Sequence, residues 1–102
     1  MNFLSQHLQT IKTLCEAYKN NSLFAFGSVV SDNFTSESDV DLLVDFEKQN
    51  PLEYSDHYFQ LKFALQEILK REIDLLEKKS LSNSYLEKNI ERTKVLLYGR
   101  GN

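Results

Sequence analysis

The apolar run from Leu42 to Val44 most limits what this chain can fold into. It lies within residues 39–46, which have the composition of a β-strand, and successive side chains of a strand point to opposite faces. Three consecutive apolar residues therefore indicate a strand whose two faces are both buried, as in a sheet covered on each side. The chain has 102 residues, enough for one small core. We therefore expect a single domain over residues 1–102, in which helices cover a small sheet.

The remaining elements follow from hydrophobic spacing and from breaks in it. Apolar residues three and four apart indicate helices, and short apolar runs ended by turn residues indicate strands. The predicted elements are a helix over 2–19, strands over 23–26 and 39–46, a helix from the Asn50 cap and Pro51 to about residue 70, a strand over 72–76, and a helix from Ser82 or Ser84 to a stop at Gly99. The predicted fold class is α/β (α+β), with a small mixed sheet of about three strands flanked by helices.

Composition excludes several classes of function. The net charge is −3, and residues 1–50 carry 3 basic and 7 acidic side chains, so binding to nucleic acid by charge is not expected. The only cysteine is Cys15, which excludes an intrachain disulfide and a cysteine-based zinc site. No apolar run is long enough to span a membrane, and the first residues do not resemble a signal peptide. A cytoplasmic location is therefore expected.

Three aspartates occupy positions that packing alone does not favour. Asp39 and Asp41 are two residues apart on one predicted strand, so both side chains point to the same face. Asp74 lies between apolar residues of the last predicted strand, where a carboxylate needs a partner. If the two strands are neighbours, the three carboxylates converge and repel one another unless a cation lies among them. Oxygen ligands of this kind select Mg²⁺ or Mn²⁺.

A second candidate element is Gly27-Ser28, at the end of the first predicted strand. Glycine lets the backbone approach a ligand closely, and the serine adds a hydroxyl. A phosphate-binding turn beside a carboxylate–metal cluster is the apparatus of phosphoryl or nucleotidyl transfer. Each part alone has a structural alternative: a common turn for Gly27-Ser28, a turn cap for Asp39 and Asp41, and a solvent-facing edge position for Asp74.

Other side chains are more consistent with packing. Cys15 lies on the apolar stripe of the first predicted helix, without a basic neighbour that would make it reactive. His7 and His57 do not have the spacing of a metal site. Tyr54 and Tyr58 share a helix face, and they either belong to the core or form an exposed surface for a partner.

Taken together, these motifs resemble the nucleotidyltransferase superfamily that includes DNA polymerase β. The segments FGS, SDVDLLVDF, EIDLL and VLLYG are similar in order to its smallest branch, the minimal nucleotidyltransferases, with ten residues between Ser28 and Asp39. The resemblance implies that Gly27 and Ser28 hold the nucleotide triphosphate and that Asp39 and Asp41 bind two Mg²⁺ ions. It also implies that Asp74 binds the catalytic ion and helps to activate the acceptor hydroxyl.

The resemblance also implies a partner. Many minimal nucleotidyltransferases are antitoxins paired with a HEPN-domain ribonuclease toxin, and some transfer AMP from ATP to a tyrosine of that toxin. We therefore expect ATP as substrate and a hetero-oligomer with such a toxin. Family members commonly carry an arginine after the Gly-Ser pair, where this chain has Val29. Lys78 and Lys79 follow the last predicted strand, and they either supply the missing positive charge or form a solvated pair. The alternative is an antitoxin that acts by binding alone.

Overall fold

The protein folds around one four-stranded sheet with helices on both of its faces. The computed structural model describes residues 2–82 and 84–99. Among these residues the elements are α1 (Asn2–Ser5), α2 (Leu8–Ala17), β1 (Asn20–Phe26), a short 3₁₀ turn (Gly27–Val30), β2 (Val40–Phe46), α3 (Pro51–Leu69), β3 (Ile73–Glu77), a second 3₁₀ turn (Lys78–Ser80), α4 (Ser84–Thr93) and β4 (Val95–Gly99).

The sheet is mixed, as predicted, but it contains four strands instead of three. The strand order is β3-β2-β1-β4. The strand β2 pairs with β3 in parallel, while β1 pairs antiparallel with both β2 and β4. This order sets the start of β2 beside the start of β3, and both beside the end of β1.

The fourth strand corrects the predicted last helix. That helix ends at Thr93, where the amide of Lys94 still donates to the carbonyl of Ile90 at 2.8 Å, and β4 follows at once. Ile90 and Leu97 are seven residues apart, a spacing that also fits one helix face, so the sequence pattern alone could not separate the two elements. Pairing with β1 makes residues 95–99 a strand: Leu96 lies opposite Phe24, and Leu97 is buried in the larger core.

The first predicted helix also differs, because it is divided into α1 and α2. Residues 6 and 7 form a turn, in which the amide of His7 donates to the carbonyl of Leu4 at 3.0 Å. The strand β1 begins at Asn20, three residues before the predicted start. Polar residues are accepted there because the end of β2 pairs with them.

Both faces of the sheet are buried, which confirms the interpretation of residues 42–44. The larger core lies between the sheet and α1, α2 and α3, and it includes Leu42, Val44 and Cys15. A smaller core lies on the other face, where Ile90 of α4 packs with Leu43 and two phenylalanines of β1. The smaller core leaves part of that face for the polar side chains at the beginning of β2.

The helix α3 begins as predicted. Asn50 caps it, with its side-chain oxygen accepting from the amide of Glu53 at 2.9 Å, and Pro51 occupies the first helical position. It ends at Lys70, which adopts a left-handed conformation with φ of 56°. No helix in the described ranges combines the length and apolar character required to cross a bilayer.

Candidate active site

Asp41 and Asp74 lie directly opposite one another on neighbouring parallel strands. The register of β2 and β3 pairs these two residues. Adjacent strands are about 4.8 Å apart, so the two side chains leave the same face of the sheet as close neighbours. That face is the one covered by α4, because Leu43, two residues after Asp41, belongs to the smaller core. The parallel pairing of β2 with β3 therefore brings together two of the three predicted carboxylates.

Asp39 precedes β2 by one residue and is exposed, so the predicted strand over 39–46 begins one residue later than expected and strand alternation does not set the direction of the Asp39 side chain. It is two residues from Asp41, and their carboxylates are close enough for Asp39 to raise the pKa of Asp41. The backbone between them is fixed at Val40, whose amide donates to the carbonyl of Glu72 at 2.9 Å. Asp39 is thus attached to the beginning of the same strand pair that carries Asp41 and Asp74.

The three carboxylates form a region of concentrated negative charge. Burial raises the pKa of Asp41 above its ordinary value, and the neighbouring charges of Asp74 and Asp39 raise it further. Each of these causes disfavours the ionised form of Asp41. A cation among the carboxylates would remove the repulsion, so the charge pattern matches a site for a divalent metal ion.

Gly27 lies against this group. It follows Phe26, the partner of Asp41 in the register of β1 and β2. Its φ is +74°, in the left-handed region that favours glycine, and a Cβ at this position would overlap Oδ2 of Asp41. Ser28 continues the turn, and its carbonyl accepts from both the amide and the hydroxyl of Ser31 at 3.0 Å. The predicted nucleotide-binding pair is therefore adjacent to the carboxylates.

The donor set suits the predicted metal. The carboxylates of Asp41, Asp74 and the nearby Asp39 offer the hard oxygen ligands that Mg²⁺ and Mn²⁺ require. As the side chains stand, no three His, Cys, Asp or Glu residues among 2–82 and 84–99 are grouped closely enough to ligate one ion. Asp39 and Asp74 are exposed, so both can change rotamer on binding. The roles assigned to these residues remain predictions.

The turn after Gly27 carries no cationic side chain, since residues 27–38 contain neither lysine nor arginine. Val29, which directly follows Ser28, is 4% exposed and belongs to the larger core. Lys78 and Lys79 follow β3 at its other end from Asp74. The ammonium of Lys79 lies 3.7 Å from the centre of the Tyr54 ring.

The two tyrosines of α3 belong to the packed structure. Tyr58 donates its hydroxyl to the carbonyl of Leu75 at 2.6 Å. Tyr54 packs edge-on against Phe46, with ring centres 5.1 Å apart. Of the two alternatives for this pair, the structure favours the core over an exposed surface for a partner.

The sequence pattern does not single out Arg71, although it contacts the segment that carries Asp39. Its guanidinium donates to the carbonyls of Thr35 and Ser38 and lies over the ring of Phe34. The only available signal was a lone arginine just before the strand that carries Asp74, which by itself indicates no function.

Comparison with known proteins agrees with this geometry. The nucleotidyltransferase domain family matches residues 8–97. A candidate protein adenylyltransferase of Methanocaldococcus jannaschii, MJ1379, is 40% identical over 80 residues, which cover 78% of this chain and 79% of that protein.

Solved structures share the fold. A candidate minimal nucleotidyltransferase superposes with a TM-score of 0.74 at 27% identity, covering 90% of each chain. A chain from the complex of the tri-AMPylated Shewanella oneidensis HEPN toxin with an MNT antitoxin superposes with a TM-score of 0.65 at 18% identity. That match covers 94% of this chain and 72% of the other.

Proposed function

This chain belongs to the nucleotidyltransferase domain family and is a nucleotidyltransferase, and from that premise we propose that it is an antitoxin. Its partner in this proposal is a HEPN-domain ribonuclease toxin, to which it transfers AMP from ATP. The acceptor is the hydroxyl of a tyrosine on the toxin, and the transfer depends on Mg²⁺. The two proteins meet in the cytoplasm and form a hetero-oligomer, without a direct role for nucleic acid or membrane.

One observation carries the proposal: Asp41 and Asp74 face each other in register, with Asp39 close enough to raise the pKa of Asp41 and Gly27 within contact distance of Asp41. Nucleotidyl transfer needs carboxylates for divalent ions and a place for the triphosphate within a few ångströms of them. The relatives supply the choice of chemistry, since the one from M. jannaschii is named for protein adenylylation.

The proposed roles follow from the position of each residue. Asp39 and Asp41 would bind two Mg²⁺ ions, and Asp74 would bind one of them. The bound ions would neutralise phosphate charge and lower the pKa of the acceptor hydroxyl. Gly27 and Ser28 would hold the triphosphate against Asp41. The acceptor hydroxyl would lose its proton to water as its oxygen attacks the α-phosphorus, the bond from that phosphorus to the oxygen bridging the β-phosphate would break, and pyrophosphate would leave.

An exposed site favours a protein acceptor. Asp39 and Asp74 both lie at the surface, so this chain covers the reacting groups on one side only. A macromolecular partner can supply the opposite wall and exclude water from the reaction. The HEPN toxin of the structural relative carries AMP groups and is bound to its antitoxin, which supports a partner of the same kind here.

The test is label transfer from ATP labelled at the α-phosphate, with Mg²⁺ and a HEPN-domain protein, taken from the neighbouring gene if that gene encodes one. The wild-type protein should label the toxin on tyrosine, and Asp39→Asn/Asp41→Asn should lower the rate by more than about 100-fold, as expected when groups that stabilise the transition state are lost. Asp45→Asn is the matched control, because Asp45 lies on the same strand at the opposite end from the site.

A second candidate is an antitoxin that neutralises the toxin by binding alone. The absence of any lysine or arginine in residues 27–38 favours it, because a triphosphate at that turn would have no cationic side chain from this segment. This candidate expects no label on the toxin. It also expects that toxin inhibition survives Asp39→Asn/Asp41→Asn, whereas the enzyme loses inhibition together with label.

A further inference from the structure

Arg71 holds the turn that leads into Asp39. Its guanidinium nitrogen Nη1 donates to the carbonyl of Ser38, the residue immediately before Asp39. The other terminal nitrogen, Nη2, donates to the carbonyl of Thr35 at 2.7 Å. One planar cation therefore fixes both ends of the four-residue turn, and a bidentate contact of this kind also fixes its orientation.

Two aromatic rings hold the guanidinium in place. Its carbon Cζ lies 4.4 Å from the ring centre of Phe34 and 5.2 Å from that of Phe3. The two rings are themselves 5.3 Å apart, which joins α1 to the turn. A lysine could not reproduce this arrangement, since it lacks the planar group that both stacks and donates in two directions.

The backbone of Arg71 is part of the other half of the site. Two residues separate it from Asp74, and the carbonyl of one of them, Glu72, accepts from the amide of Val40. The segment that carries Asp74 is thus hydrogen-bonded to the segment that carries Asp39 in two ways, through the Arg71 side chain and through the backbone carbonyl of Glu72. The side-chain hydrogen bonds within the turn, between Thr35 and Ser38 and from the amide of Glu37 to the hydroxyl of Thr35, are exposed to water.

We propose that Arg71 is a positioning residue that sets Asp39 relative to Asp74 and thereby determines the affinity of the site for divalent cations. The inference rests on the proposed function, because it assigns the carboxylates to a metal. Arg71 itself touches neither metal nor nucleotide, since its terminal nitrogens are engaged by backbone carbonyls.

The test measures Mn²⁺ binding to the full chain without nucleotide, by electron paramagnetic resonance. Arg71→Lys keeps the charge and removes the bidentate contact. It should weaken Mn²⁺ binding by about 10- to 100-fold, the effect expected when a group that orients metal ligands is lost. Hydrogen exchange should accelerate at the amides of residues 35–39 while those of β1 stay protected, which shows that the variant is folded. Arg92→Lys is the matched control, because Arg92 is exposed and donates to Asn89 within its own helix.

The outcomes separate the two proposals. A wild-type protein that binds Mn²⁺ while Arg71→Lys binds it equally well overturns the role of Arg71 and leaves the proposed function intact. Faster exchange at residues 35–39 with unchanged Mn²⁺ affinity also overturns it, because Arg71 would then only stabilise the turn. A wild-type protein that binds no Mn²⁺ overturns both proposals.

Discussion

Asp41 occupies the space that a side chain on Gly27 would need. A Cβ built on Gly27 would overlap Oδ2 of Asp41 and lie 3.3 Å from its Cγ. The backbone of the turn therefore lies directly against the carboxylate. This contact allows a phosphate bound at the turn and a cation bound at Asp41 to be neighbours, which is the spatial requirement of the proposed reaction.

Gly27→Ala should damage both stability and activity. The substitution forces a left-handed residue with a side chain against Asp41, at a cost of about 1–3 kcal/mol in the free energy of unfolding. Displacement of Asp41 should also lower the rate of AMP transfer per folded molecule. Urea denaturation and the label-transfer assay measure the two effects.

Gly99→Ala is the control for that experiment. Gly99 also has a positive φ, of +93°, and its Cβ would meet the backbone of Asn21. It should cost at least as much stability as Gly27→Ala, yet the rate per folded molecule should be unchanged. Equal rates per folded molecule for wild type and Gly27→Ala would contradict the argument from the contact with Asp41.

Asp41→Asn should stabilise the fold while abolishing transfer. Burial and the charges of Asp74 and Asp39 raise the pKa of Asp41, so ionisation of this group destabilises the folded state. Removal of the charge should raise Tm at pH 7 only slightly, by roughly 1–2 °C, because solvent screens this half-exposed carboxylate. A group with a raised folded pKa loses its stabilising contribution as pH rises, so the advantage of asparagine should vanish at low pH, where Asp41 is protonated.

Thermal unfolding at pH 7 and at pH 3.5 measures this prediction. Asp45→Asn serves as the control for position, since Asp45 is at the far end of β2 and the structure gives it no carboxylate partner across the β2–β3 pair. A Tm for Asp41→Asn that is lower than that of wild type at pH 7 would show that the ionised carboxylate stabilises the fold. That result would contradict the argument from burial and from the charges of Asp74 and Asp39.

The contrast between Leu43 and Leu97 shows what the sequence could and could not predict. Leu43 stands in an unbroken apolar run, so a strand buried on both faces follows from its neighbours alone. Leu97 lies seven residues after Ile90, a spacing shared by one helix and by a helix followed by a strand. Only pairing with β1, a contact between residues distant in sequence, distinguishes these cases, so β4 was predicted as helix.

The candidate site shows the same division. The sequence predicts Asp39 and Asp41 on one strand, but β2 begins at Val40, so strand alternation fixes the face of Asp41 and not that of Asp39. Their proximity to Asp74 required that the two strands be neighbours, and the sequence could state this only as a condition. The structure meets the condition, because the register of β2 and β3 pairs Asp41 with Asp74. Arg71 could not be identified in this way, because its side chain donates to two backbone carbonyls 33 and 36 residues away. Every residue has a backbone carbonyl, so the residue types along the chain do not indicate such a contact.

Cys15 should make the protein less stable at alkaline pH. Burial raises the pKa of this thiol from 9.0 to about 12. Between these values the unfolded chain loses a proton that the folded chain keeps, so the free energy of unfolding should fall by about 1.4 kcal/mol per pH unit. Below pH 9 both states are protonated and the contribution is fully present.

Urea denaturation between pH 8 and pH 11 measures that slope. Cys15→Val fills similar space and cannot ionise, so it should give a shallower slope with little change at pH 8. A residual slope is expected from Tyr54, because burial and the nearby carboxylate of Glu77 raise its pKa to about 12. Identical slopes for wild type and Cys15→Val would contradict the assignment.

Lys70→Gly should stabilise the protein, because Lys70 ends α3 in a conformation that suits glycine. Its φ is 56° and its ψ 36°, and its amide still donates to the carbonyl of Gln66 at 2.9 Å. A side chain in the left-handed region costs about 1–2 kcal/mol in the folded state, and glycine avoids this cost. Part of the gain is offset, because glycine loses more conformational entropy on folding than lysine does. The free energy of unfolding should therefore rise by about 0.5–1 kcal/mol, measured by urea denaturation at pH 7.

Lys70→Ala separates this effect from the loss of the exposed ion pair with Glu67, since alanine removes the ammonium and keeps the strained backbone. Stabilisation by alanine as large as that by glycine would mean that the charge of Lys70, and not its backbone, is the source of the cost.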